Sequence, residues 1–150
     1  MMDSNGKDIP ERLQEIIEDF QWAEGREKLE MLLEYSERMP PLPDWLASEH
    51  ESMEQVQECM TPVFIAADSQ DGKMSFYFDV PPESPTVRGF AAILAEGLDD
   101  ASPQEVISVP GDFYLAMGLE KVLTHQRLTG ISAILGYMKR LAMEQLEEDK

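Results

Sequence analysis

The one thiol in this chain is Cys59, within Val56-Gln57-Glu58-Cys59-Met60-Thr61-Pro62-Val63-Phe64. As a thiolate, a cysteine attacks the sulfur of a disulfide or persulfide. The ordinary alternative is a small hydrophobe packed in the core, and composition by itself favours it. Position adds something. An acidic, polar segment precedes Cys59, and an apolar run that reads as a strand follows it. Proline is disfavoured inside a central strand, so Pro62 places Cys59 in the loop before that strand. A thiol on a loop, backed by a sheet, can present itself and can also move.

The other residue types exclude several chemistries. A lone cysteine makes no internal disulfide, and an iron–sulfur cluster needs several such ligands. The two histidines, His50 and His125, are far apart and give no zinc spacing. Both read most simply as surface residues. The chain carries 12 Lys+Arg against 30 Asp+Glu, a formal net charge of -18. That charge repels nucleic-acid phosphates and anionic membrane surfaces alike. The acid is concentrated early, with a net of -11 over residues 1–58 and -7 over the rest. It forms either a face toward a partner or a solvated surface. Met1 to Pro10 lacks the apolar core of a signal peptide, and no apolar run nears the ~20 residues of a membrane span. A reduced, cytoplasmic protein is expected.

The elements around Cys59 follow from pattern. Residues 1–9 read as a flexible tail, and residues 10–148 as a single domain. Leu13, Ile16, Ile17 and Phe20 share a helical face, and Leu29, Leu32 and Leu33 resume it, so helices are expected over about 10–20 and 23–38. They are either separate or fused. Met39-Pro40-Pro41-Leu42-Pro43 ends the second as a stiff connector. Ser48-Glu49-His50-Glu51 fits a capping box over a short helical turn. Strands are expected over 63–68 and 73–80, joined at Asp71-Gly72, with Met74, Phe76 and Phe78 on one face. Ser84-Pro85 starts a helix running to about Leu98. Gly89 inside it implies close packing. Ser102-Pro103-Gln104-Glu105 carries a full capping box. A turn over 112–117 closes at Gly118. Thr124 caps a last helix whose apolar positions are Leu128, Ile131, Leu135, Met138, Leu141 and Ala142. Helices, a hairpin, then helices make an α+β fold. The ten methionines suit adaptable packing.

Five blocks in register carry a resemblance. They are Ile16-Ile17-Glu18-Asp19-Phe20, the proline connector 39–43, Glu58-Cys59-Met60-Thr61-Pro62-Val63-Phe64, Pro85-Thr86-Val87-Arg88-Gly89-Phe90, and Leu123-Thr124-His125-Gln126-Arg127-Leu128-Thr129-Gly130. Over about residues 12–142 the chain resembles the SufE family, the iron–sulfur metabolism associated domain. Glu58, Met60 and Val122 stand where the family often has glycine, glutamine and histidine. The resemblance implies a SufE/IscU-like fold, with a small antiparallel sheet packed against helices.

It also implies a role. Family members accept persulfide sulfur on their cysteine from a pyridoxal-phosphate cysteine desulfurase, of SufS type. They stimulate that enzyme and pass the sulfur toward an iron–sulfur scaffold complex, of SufBCD type. Cys59 would be the acceptor, in an accessory protein without a cofactor or metal of its own. The other reading is an adaptor that tunes the desulfurase without carrying sulfur, or a carrier for another thiolation pathway. Glu58 raises the thiol pKa as a neighbouring carboxylate. Arg127 and Gly130 share a face of the last helix. Arg127 would steady the cysteine loop or meet a desulfurase carboxylate, or else bond a loop carbonyl near its own helix end. Arg88 reads as a partner contact. Glu83 would brace the loop or complement a helix dipole.

Overall fold

The computed structural model describes residues 9–149. The expected tail lies outside the described residues except for Ile9, which is buried against the core. Helix α1 (Glu11–Trp22) buries Leu13, Ile16, Ile17 and Phe20 on one stripe. It is separate from α2 (Gly25–Glu37), because Glu24 and Glu27 form a capping box between them. Leu32 and Tyr35 of α2 are buried, whereas Leu33, expected on that face, is 44% exposed. Lys28 is buried, and its ammonium donates to the carbonyl of Phe20. A cation there satisfies a carbonyl in the last turn of α1.

The connector leads into α3 (Asp44–Ala47) and a single 3-10 turn, His50–Ser52. The capping box expected at Ser48 does not form. Helix α3 starts earlier, behind Pro43, and buries Leu46, so Ser48 falls at its C-terminal end. There its hydroxyl donates to the carbonyl of Trp45, 3.2 Å away.

Three antiparallel strands follow in the order β1 (Glu54–Gln55), β2 (Phe64–Gln70) and β3 (Lys73–Asp79). Asp71 and Gly72 have φ of 54° and 79°, the paired left-handed geometry of a two-residue hairpin turn. Met74, Phe76 and Phe78 point into the core as the alternation predicts. Strand β1 was not expected. Two polar residues carry no strand signal, and only pairing with Phe64 and Ile65 makes them one.

Helix α4 (Pro85–Gly97) is the centre of the molecule and packs on α1, α2, β3 and the last helix. Its Ala91, Ile93 and Leu94 are wholly buried. A Cβ on Gly89 would lie 2.1 Å from the carbonyl oxygen of Leu32, so α2 and α4 meet backbone to backbone. The close packing expected of Gly89 is there. Pro85 opens α4, but Ser84 does not cap it; its hydroxyl donates to Thr61 Oγ1 at 2.8 Å. Helix α5 (Pro103–Ser108) has the expected box at Ser102 and Glu105. Single 3-10 turns at Phe113–Leu115 and Leu119–Lys121 flank Gly118, whose φ is 76°. Helix α6 (His125–Glu148) is capped by Thr124, which accepts from the N–H of Arg127. It buries Ile131, Ile134, Leu135, Met138 and Ala142, while Leu128 and Leu141 are half-buried. The fold is α+β, a small antiparallel sheet packed against helices.

Candidate functional site

Cys59 stands in the hairpin loop that joins β1 to β2. The loop is closed at its base by the Val56 N–H, which donates to the Val63 carbonyl at 2.8 Å. Both valines are wholly buried, so the base belongs to the core. Above it the chain turns as the Cys59 N–H donates to the Val56 carbonyl at 3.3 Å. The neighbouring Met60 is 80% exposed.

Helix α6 lies along one side of this loop. The Cys59 thiol donates to the Gly130 carbonyl at 3.5 Å. A Cβ on Gly130 would meet Cys59 Sγ at 3.2 Å, so glycine lets the thiol approach the helix backbone. The Gln57 N–H donates to Tyr137 Oη at 3.3 Å. Arg140 stacks over the Tyr137 ring, 5.2 Å from its centroid, and pairs with Glu54 in β1 and with Glu144. Gly130, Tyr137 and Arg140 are two and three turns apart, which puts them on one face.

Cys59 is half-buried. Burial, and then the carboxylate of Glu58, push its thiol up to about 11. Near neutral pH the resting group is therefore the thiol, not the thiolate.

A pocket of about 270 Å³ opens beside it, lined by Cys59, Glu83, Thr86, Gln126, Arg127 and Gly130 among others. It brings together Cys59, Glu83 and Arg127. Glu58 is exposed next to the thiol. Glu83 is exposed at the mouth and makes no hydrogen bond or ion pair among the described residues. Arg127 bonds neither the loop nor a carbonyl at its own helix end. It donates to Thr86 Oγ1 on α4 at 2.9 Å, with no carboxylate partner among the described residues.

Arg88 is not part of this pocket. It donates to the carbonyls of Ser36, at 3.1 Å, and Val80. One turn into α4, its side chain reaches the ends of α2 and β3 and braces them. His50, read as a surface residue, bonds Asp79 at 2.8 Å and packs edge-on against Phe64. His125 is exposed. Tyr137, Thr86 and Gln126 were missed. Only Tyr137 had a signal, its spacing of seven from Gly130.

A family model described as SufE, Fe-S metabolism associated domain, matches residues 14–142. The chain belongs to the SufE family. It is 41% identical over 137 residues to an uncharacterised SufE-like protein of Mycobacterium tuberculosis, covering 91% of this chain and 94% of that one. A SufE-like protein of Synechocystis is 31% identical over 136 residues, covering 90% and 82%. The solution structure of a hypothetical protein from Thermus thermophilus superposes with a TM-score of 0.82 at 38% identity, over 93% of this chain and 98% of that one. SufE proteins are accessory sulfur-transfer proteins of iron–sulfur metabolism, not enzymes, and the family is associated with cysteine desulfurases. Among the described residues no cluster of side chains could hold a metal ion. None of their helices is long and apolar enough to cross a membrane.

Proposed function

We propose that Cys59 accepts sulfur from the persulfide of a SufS-like cysteine desulfurase and carries it to an iron–sulfur scaffold of SufBCD type. The Cys59 thiolate attacks the terminal sulfur of the donor persulfide. The donor S–S bond breaks, its cysteine leaves as a thiolate, and Cys59 holds the new persulfide. The proton of Cys59 passes to solvent or to a base of the partner. No electron is gained or lost overall. One observation carries this reading. The only thiol of the chain sits on a hairpin loop over a pocket, held at its sulfur by a single weak hydrogen bond.

Docking would complete the activation. A positive group of the desulfurase near Glu58 would offset the charge that disfavours the thiolate, and lifting the loop from Gly130 would rehydrate the sulfur. Arg127, exposed and without a carboxylate, is available to steady the anion in the pocket.

The raised thiol pKa favours a second reading, an adaptor that stimulates the desulfurase without taking sulfur. Cys59→Ser separates the two. The carrier reading expects the variant to fold and bind the desulfurase, to take up no sulfur by mass spectrometry, and to lose stimulation of sulfide release. Full stimulation by the serine variant would establish the adaptor instead.

A further inference from the structure

A second depression, of about 380 Å³, runs along the outer edge of β3 and shares no lining residue with the Cys59 pocket. The connector Met39–Leu42 forms one wall, and Ala92, Ala95 and Glu96 of α4 form the other. The strand edge between them is unfinished. The Met74 N–H donates to the Ala101 carbonyl at 2.8 Å, and the Met74 carbonyl accepts from the Asp100 N–H at 2.9 Å. In an antiparallel strand every second residue turns its polar groups to the same side. Phe76 and Phe78 therefore point theirs into the groove, and these groups have no hydrogen-bond partner among the described residues. Phe76 and Phe78 are buried as whole residues, at 5% and 3% exposure, with their rings in the core, so the strand cannot turn away. Pro40 and Pro41 in the facing wall have no N–H to offer.

We propose that this groove takes an extended, basic segment of a partner protein, which adds to β3 as a further strand. The unpaired N–H and carbonyl groups of Phe76 and Phe78 would supply the ladder. Charge identifies the occupant. Past Ser75 and Tyr77 the groove continues to the hairpin end, where Asp68, Asp71 and Asp100 gather with Lys73. Asp99 lines the groove itself, and so do Glu96 and Arg38, which are paired with each other, Glu96 holding Arg12 as well, so the uncompensated charge of the wall is that of Asp99. A strand with lysine or arginine at alternate positions meets this field. A second copy of this chain does not, since each copy carries a formal charge of -18.

The test uses the isotope-labelled full chain and a short capped peptide alternating valine and lysine, followed by amide NMR. The expected result is a saturable shift of the Phe76 and Phe78 amides and slower exchange of their hydrogens. The same peptide with glutamate in place of lysine should bind at least about tenfold more weakly. Ala95→Leu, which fills one wall, and the pair Asp68→Asn with Asp99→Asn should each weaken the lysine peptide several-fold. Shifts confined to other amides, or equal binding of the glutamate peptide, would overturn the proposal. So would movement of these same amides with protein concentration alone, which would make a second copy the occupant.

Discussion

Cys59 Sγ lies 3.5 Å from the carbonyl oxygen of Gly130 and donates to it. The thiol is thus parked on the backbone of α6 at the one residue type that admits it. Gly130→Ala would put a methyl 3.2 Å from the sulfur. The loop, not the helix, should yield. Alanine is also the better helix former, by about 1 kcal/mol. The variant should keep its thermal midpoint, while alkylation of Cys59 by iodoacetamide becomes several-fold faster. An unchanged rate would show that the contact does not restrain the thiol.

Glu58→Gln tests the electrostatic half of the thiol's environment. Burial is the larger cause of the raised pKa and Glu58 the smaller. The midpoint of alkylation against pH should therefore fall below about 11, yet stay above the ordinary value of 9.0. A return to the ordinary value would assign the whole shift to the carboxylate.

The same shift makes stability depend on pH. The folded protein holds the Cys59 proton up to about 11, whereas an unfolded chain releases it near 9.0. Between those values the unfolded state binds fewer protons, so stability falls as pH rises. The contribution is intact below the unfolded value and gone above the folded one. Urea midpoints of wild type should drop more steeply across this window than those of Cys59→Ala. Parallel curves would argue against a raised folded-state pKa.

Arg88→Ala removes two hydrogen bonds from a cation to carbonyls of Ser36 and Val80, both buried residues. The Ser36 carbonyl keeps the Met39 N–H at 3.3 Å, whereas the Val80 carbonyl is left without a partner among the described residues, so the cost should be about 1.5–3 kcal/mol in urea unfolding. Sulfur uptake per folded molecule should not change. Lost uptake at intact stability would support the partner contact expected of this residue.

Two glycines of α4 should behave differently. At Gly89 an alanine methyl meets a carbonyl oxygen of α2 at 2.1 Å, and backbone cannot step aside. At Gly97 the nearest atom is Leu13 Cδ1 at 2.8 Å, a side-chain end, with Leu13 Cβ at 3.0 Å and its Cα at 3.1 Å, so the backbone of α1 need give only by a few tenths of an ångström. Gly89→Ala should lose about 3 kcal/mol or more of stability, and Gly97→Ala clearly less. Equal losses would mean that α2 can move off α4.

What was legible in the sequence follows the range of the forces involved. The stripe of α1, the Asp71-Gly72 turn, the box at Ser102 and the cap at Thr124 depend on neighbours within a few residues. Each stands where its pattern puts it. Pro62 likewise placed Cys59 in a loop. What was missed depends on partners far along the chain. Strand β1 exists because β2 pairs with it, and Ser84 turns to Thr61 instead of its own helix. Arg88 reaches Ser36, 52 residues away, and Arg127 reaches Thr86, 41 away. For an arginine on a helix, the sequence names the charge but not the oxygen it finds.

The closed base of the cysteine loop sets how well a sulfur there can be guarded. With Val56 and Val63 fixed, lifting the loop breaks three hydrogen bonds, Cys59 to Gly130, Gln57 to Tyr137 and Ser84 to Thr61. At about 0.5–1 kcal/mol each, the raised form is a minor but standing population, roughly one molecule in ten to one in a hundred and fifty. Shielding against a small reductant is then capped at about the same ratio, whatever the depth of the pocket. On the proposed carrier role, a cargo held this way would be guarded by speed of handover more than by enclosure.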